Sequence, residues 1–77
     1  MEIKEFIEKF AEQFDETDVK VFAPETNFRE LDEWSSIIAL GVIAMIDEEY
    51  NVTIKAAEMQ KVNTVGDLFE LVKSKVA

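Results

Sequence analysis

Residues 28–50, FRELDEWSSIIALGVIAMIDEEY, decide the fold. A polar turn, Trp34-Ser35-Ser36, opens directly into a long apolar stretch that closes on Asp47, Glu48, Glu49 and Tyr50. Within it Ile38, Val42, Ile46 and Tyr50 recur four residues apart, and Ile43 fills the same side. That spacing is the stripe of an amphipathic helix and not the alternation of a strand. Ser35 stands where an N-cap is wanted, because its hydroxyl can accept a bond from an unpaired first-turn N–H. Ser36 then falls in the first turn, with its hydroxyl near the positive end of the helix dipole, where anions are favoured.

Working outward, residues 2–14 predict a first helix whose stripe is Ile3, Phe6, Ile7, Phe10 and Phe14, with Glu5 and Lys9 as a favourable i, i+4 pair. Residues 15–34 predict a long loop, since Asp15 to Asp18 end the helix and Pro24 with Asn27 discourages regular structure. Val19, Val21, Phe22, Phe28 and Leu31 are expected to pin that loop to the core, and Trp34 to hold its end against the second helix. Residues 55–61, KAAEMQK, suit a short third helix. The last helix is expected from Thr64, with Asp67 closing an approximate capping box and Val65, Leu68, Phe69, Val72 and Val76 facing inward. Three helical stripes without sustained alternation predict an all-α fold, a four-helix bundle in a single domain over residues 1–77.

Composition narrows the function classes. A chain of 77 residues with 48% apolar residues has room for one modest core and should fold despite its charge. It contains no cysteine and no histidine, which removes disulfides, thiolate nucleophiles and the commonest general base and metal ligand. Self-contained catalysis is not expected, so the chain is read as no enzyme. A net charge of −9 disfavours nucleic acid and anionic membranes and favours partners with basic surfaces. No signal peptide is read at Met1 to Glu5 and no span is long enough for a bilayer, so a cytoplasmic monomer is expected.

The stretch resembles the second helix of an acyl carrier protein, in which an Asp-Ser-Leu motif carries 4′-phosphopantetheine on the serine. Ser35-Ser36-Ile37 stands at that motif. Phe28 lies eight residues before Ser36 and Tyr50 fourteen after, and Asn63-Thr64-Val65-Gly66-Asp67 is similar to the family's start of the last helix. The resemblance covers nearly the whole chain without an obvious gap. It implies an all-α bundle of acyl-carrier type with a long first loop and a short third helix. It also implies a covalent 4′-phosphopantetheine on Ser36, with Ser35 as runner-up, loaded by a separate phosphopantetheinyl transferase. Acyl intermediates would then be held as thioesters in fatty-acid or polyketide-type synthesis.

On the same resemblance, Ile37, Gly41, Asp47 and Glu48 are the expected contacts for acyl-processing enzymes with basic surfaces. Ile46, Ile54, Met59, Val62 and Leu68 are the expected lining of a cavity for acyl chains. Gly41 has an equal alternative as a close helix contact or as a glycine the helix merely tolerates. Ser35 in place of the motif's aspartate, together with Ile38 and Gly41 where many members carry acids, keeps two other readings open. One is a carrier for aminoacyl or other starter units. The other is an unmodified protein-interaction domain.

Overall fold

The structure, a computed structural model, describes residues 2–76; Met1 and Ala77, the ends of the expected domain, lie outside the described residues. Four α-helices follow one another: α1 Ile3–Ala11, α2 Ser36–Tyr50, α3 Ala56–Met59 and α4 Val65–Val76. Two short 3-10 turns, Val19–Val21 and Phe28–Glu30, interrupt the long first loop. Among the described residues there is no strand, so the all-α expectation holds; one isolated backbone bridge joins Asn27 to Thr64.

The core is one contiguous cluster, with Phe6, Phe10, Phe28, Val42, Ile46, Val65, Leu68 and Val72 at its fully buried centre. An aromatic chain runs through it. Phe6 meets Tyr50 at 5.9 Å and Phe69 at 5.5 Å, Phe10 meets Phe28 at 5.6 Å, and Phe28 meets Trp34 at 4.6 Å. Such ring pairs add to the area they remove from water. Trp34 thereby pins the end of the loop as the sequence suggested, resting on Phe28 and, at 6.2 Å, on Phe14.

The helix ends follow local chemistry. α1 stops at Ala11, earlier than the stripe to Phe14 suggested. Gln13 and Phe14 instead bond back three residues, to Phe10 and Ala11, and this tighter turn still delivers Phe14 into the core. α2 ends on Asn51, whose N–H closes the last turn on the carbonyl of Asp47 at 2.9 Å and whose left-handed backbone (φ 58°) then takes the chain out of the helix. Asparagine is one of the few residues that takes this conformation readily. α4 starts with the expected reciprocal cap: Asp67 N–H donates to Thr64 Oγ1 at 3.0 Å, and Thr64 N–H donates to Asp67 Oδ2 at 3.2 Å. α3 is shorter than residues 55–61 because Lys55 serves as its N-cap residue, with Glu58 Oε1 accepting from Lys55 N–H at 3.0 Å.

Three packing expectations need correction. Val19 and Val21 are exposed: the 3-10 turn presents one side in three to the core, and Phe22, 4.9 Å from Phe14, takes that side. Val76 is also exposed, one turn beyond Val72, where the stripe outruns the core. Glu33, one of the acids between Arg29 and Lys55, is engaged as a clamp, described below.

The loop is ordered by backbone bonds to the start of α4. Val65 N–H reaches Thr26 O at 3.0 Å, Gly66 N–H reaches Pro24 O at 2.8 Å, and Phe28 N–H reaches Asn63 O at 3.2 Å. The approach is close enough that a Cβ on Gly66 would stand 2.9 Å from the Pro24 carbonyl oxygen, which explains the glycine. These bonds carry the loop across the bundle and deliver its last residues to the head of α2.

Candidate functional site

The head of α2 assigns different work to its two serines. Ser35 has extended backbone (φ −156°, ψ 172°), and its Oγ accepts from Ile38 N–H at 3.3 Å, so that hydroxyl is occupied as the cap. Ser36 is the first helical residue and is exposed, and its hydroxyl makes no hydrogen bond among the described residues. A free hydroxyl in the first turn of a 15-residue helix sits in the field of unpaired N–H groups, which favours a phosphate ester there.

What holds this head in place is the Glu33 clamp. The Glu33 carboxylate accepts from the backbone N–H groups of Asp15 (2.6 Å), Glu16 (3.1 Å) and Thr17 (2.9 Å) and from Thr17 Oγ1 (2.7 Å). It thereby ties the chain just ahead of Trp34 to the segment leaving α1. The Thr17 hydroxyl, with the three backbone donors behind it, holds the Glu33 carboxyl below its ordinary range.

The outer face of α2 is apolar and unpartnered. Ile37 is 79% exposed and Leu40 66%, and Ala44 is exposed as well. Asp47 and Glu48 are exposed at the far end of the helix and form no ion pair among the described residues. The other acid there is engaged: Glu49 Oε1 lies 3.0 Å from Lys9 Nζ, which also keeps the expected contact with Glu5 at 3.8 Å. The hydrogen bond to the Glu49 carboxylate raises the Lys9 ammonium above its ordinary pKa. Gly41 faces the turn that follows α1, where a Cβ would stand 3.2 Å from Gln13 Oε1.

Beside Ser36 a groove of about 380 Å³ opens between α2 and α3. Trp34, Ser36, Ala39, Leu40 and Ile43 form one wall, Ala56, Met59 and Gln60 the other, and Arg29 lies within it. Of the five residues expected to line an acyl cavity, Met59 alone borders this groove; Ile46, Ile54, Val62 and Leu68 lie in the closed core. Position on a buried stripe and position beside an opening look alike in sequence, so periodicity does not separate them.

Arg29 was not singled out by sequence. Its Nε donates to Val62 O at 2.9 Å and its Nη2 to Met59 O, and the guanidinium carbon stands 5.7 Å from the Phe28 ring centre. The signal was present as the isolated base in a stretch otherwise acidic as far as Lys55. Leu40 was also missed, because an apolar residue inside an apolar helix gives no hint of the side it faces. Among the described residues no group of His, Cys, Asp or Glu could hold a metal ion, and no helix is long and apolar enough to cross a membrane.

Ser36 is thus an exposed hydroxyl with a recess at its side. No curated protein matches the chain. A family model described as a phosphopantetheine attachment site matches residues 4–72, taking in α1, the loop, the serine pair, the groove and most of α4. With that match over most of its length, the chain belongs to the phosphopantetheine attachment-site family, whose members are carrier domains that hold 4′-phosphopantetheine covalently and are not themselves catalysts.

Proposed function

We propose that the protein is an acyl carrier modified on Ser36 and working in fatty-acid or polyketide-type synthesis. The observation that carries this reading is the division between the serines: Ser35 Oγ is engaged with Ile38 N–H, whereas Ser36 Oγ is exposed and unengaged. The residues suit a phosphate ester. Ser36 supplies the oxygen, the first-turn N–H groups of α2 stabilise the anion, and the Glu33 clamp fixes the approach. When bound, 4′-phosphopantetheine supplies a thiol on which an acyl group is held as a thioester, chemistry that a chain without cysteine or histidine cannot perform with its own side chains.

The chain's part is then position and recognition. Ile37 and Leu40 offer an apolar contact beside the serine, and Asp47 and Glu48 offer charge to enzymes with basic surfaces. A carrier for aminoacyl or other starter units is the second reading. It is favoured by the absence of any charged residue from Ser35 to Ile46, which separates this helix from one recognised mainly by charge.

The test is co-expression with a broad-specificity phosphopantetheinyl transferase, followed by intact masses of wild type, Ser35→Ala and Ser36→Ala. The added mass is expected in the first two and not in the third. Modification persisting in Ser36→Ala would move the site. A wild type left unmodified by this transferase and by that of its own host would make the protein an interaction domain without the arm.

A further inference from the structure

The groove is apolar on most of its surface and contains a single cation. Trp34, Ala39, Leu40, Ile43, Ala56 and Met59 give it apolar walls, and no acid borders it, although the chain has 17 acids and 8 bases. Pockets of this make-up bind an apolar body through their walls and orient it through the few polar groups placed among them. Here the placed group is the guanidinium of Arg29.

That guanidinium is fixed and incompletely used. Carbonyls of Met59 and Val62 take Nη2 and Nε, leaving most of its five N–H donors without a protein acceptor among the described residues. No carboxylate pairs with it among the described residues, although the sequence surrounds it with acids. A half-buried arginine held rigidly by two carbonyls, with a free edge on a groove, is suited to two-point recognition of a carboxylate. The phosphate on Ser36 is a weaker match for Arg29. It would sit on an exposed residue already served by the N-terminal N–H groups of α2, whereas Arg29 meets what fills the groove.

We propose that the groove selects acyl cargo bearing a carboxylate or comparable anionic oxygen group, and that Arg29 is the residue that recognises it. This rests on the carrier reading above. The cargo is a short apolar chain or ring lying against Trp34, Leu40, Ile43 and Met59, with its anionic group on the free edge of Arg29. The pairing adds no covalent step; it orients the thioester-bound group and holds it out of water between enzymes.

Hexanoyl and adipoyl cargoes have the same number of carbons and differ in a terminal carboxylate. Each is loaded from its coenzyme A thioester by a broad-specificity transferase, beside an acyl-free form loaded from coenzyme A, and mass confirms each product. Trp34 is the chain's one tryptophan and borders the groove, so its emission reports occupancy, and the melting temperature reports the gain in stability.

The adipoyl form is expected to shift Trp34 emission further than the hexanoyl form and to melt several degrees higher. Arg29→Gln should remove that difference and Arg29→Lys should keep part of it. Because Arg29 also ties the Phe28 turn to α3, the decisive comparison is between cargoes in wild type. Equal behaviour of the two cargoes overturns the proposal. So does an acyl-free form that already shows the whole shift, which would assign Arg29 to the phosphate of the arm. A chain that gains no mass overturns the carrier reading and this proposal with it.

Discussion

The seam between the first loop and α4 and the outer face of α2 are made of similar residues and are used in opposite ways. In the seam, Phe22, Phe28 and Val65 are buried and the backbone of residues 24–28 finds partners in residues 63–66. On the outer face of α2, Ile37 and Leu40 are as apolar but are exposed and lie outside the core cluster. Apolar area removed from water contributes to stability; apolar area left in water contributes nothing to it and is available to a partner. The same side-chain chemistry therefore builds the fold in one region and is free for recognition in the other.

The contrast is most easily broken at the seam. Phe28 touches Phe10 and Trp34 and has no exposed surface, so Phe28→Ala should cost about 3–5 kcal/mol, a large share of the roughly 5–15 kcal/mol that holds a small domain together. Urea denaturation reads this directly. A loss near that expected of a surface residue would mean the loop is not part of the core.

The two glycines sharpen the comparison at smaller scale. Gly66→Ala drives a methyl into the Pro24 carbonyl, an immovable backbone atom, and should destabilise by about 1–2 kcal/mol after any gain in helix propensity. Gly41→Ala meets only the tip of the Gln13 side chain, which can rotate away, and should stabilise by up to about 1 kcal/mol. Thermal melts of both variants should move in opposite directions.

Acid should loosen the Glu33 clamp. Its folded pKa is depressed, so its contribution is complete above the ordinary carboxyl value of 4.5 and is lost as pH falls through the folded value. Glu58, held down by Lys75 Nζ at 2.8 Å, and Asp67, held down by Thr64 N–H, titrate in the same sense. Lowering pH also relieves the repulsion of a −9 chain, so wild type should be compared with Glu33→Gln. Wild type is expected to be the more stable at pH 7, with the difference shrinking below about pH 4.5 as the carboxylate protonates. A difference constant with pH would mean that charge on Glu33 does not matter to the clamp.

The smallest stability change belongs to the outer face. Ile37→Ala and Leu40→Ala should each alter stability by no more than about 0.5 kcal/mol, because little contact is lost. Each should nonetheless lower the transferase kcat/KM on this chain by about fivefold or more, the size expected for an apolar contact at the centre of an interface. Unchanged modification with unchanged stability would remove this face from recognition.

The helices were legible in sequence because their causes are local. The stripe of Ile38, Val42, Ile46 and Tyr50, the Ser35 cap and the Thr64–Asp67 box each depend on residues within a turn or two of one another, and all appear in the structure. The Ser35–Ser36 distinction was legible for the same reason, since the N-cap and the first-turn residue differ by one position along one helix. The outcome at Glu33 was not, because its partners lie 16 to 18 residues away and become neighbours only once the loop folds back. Nor was the groove, whose walls come from α2, α3 and the Phe28 turn, nor the free edge of Arg29 within it. Periodicity says which side of a helix is apolar; only the placement of the next element decides whether that side is covered, and α2, apolar nearly all round, left that decision to tertiary structure.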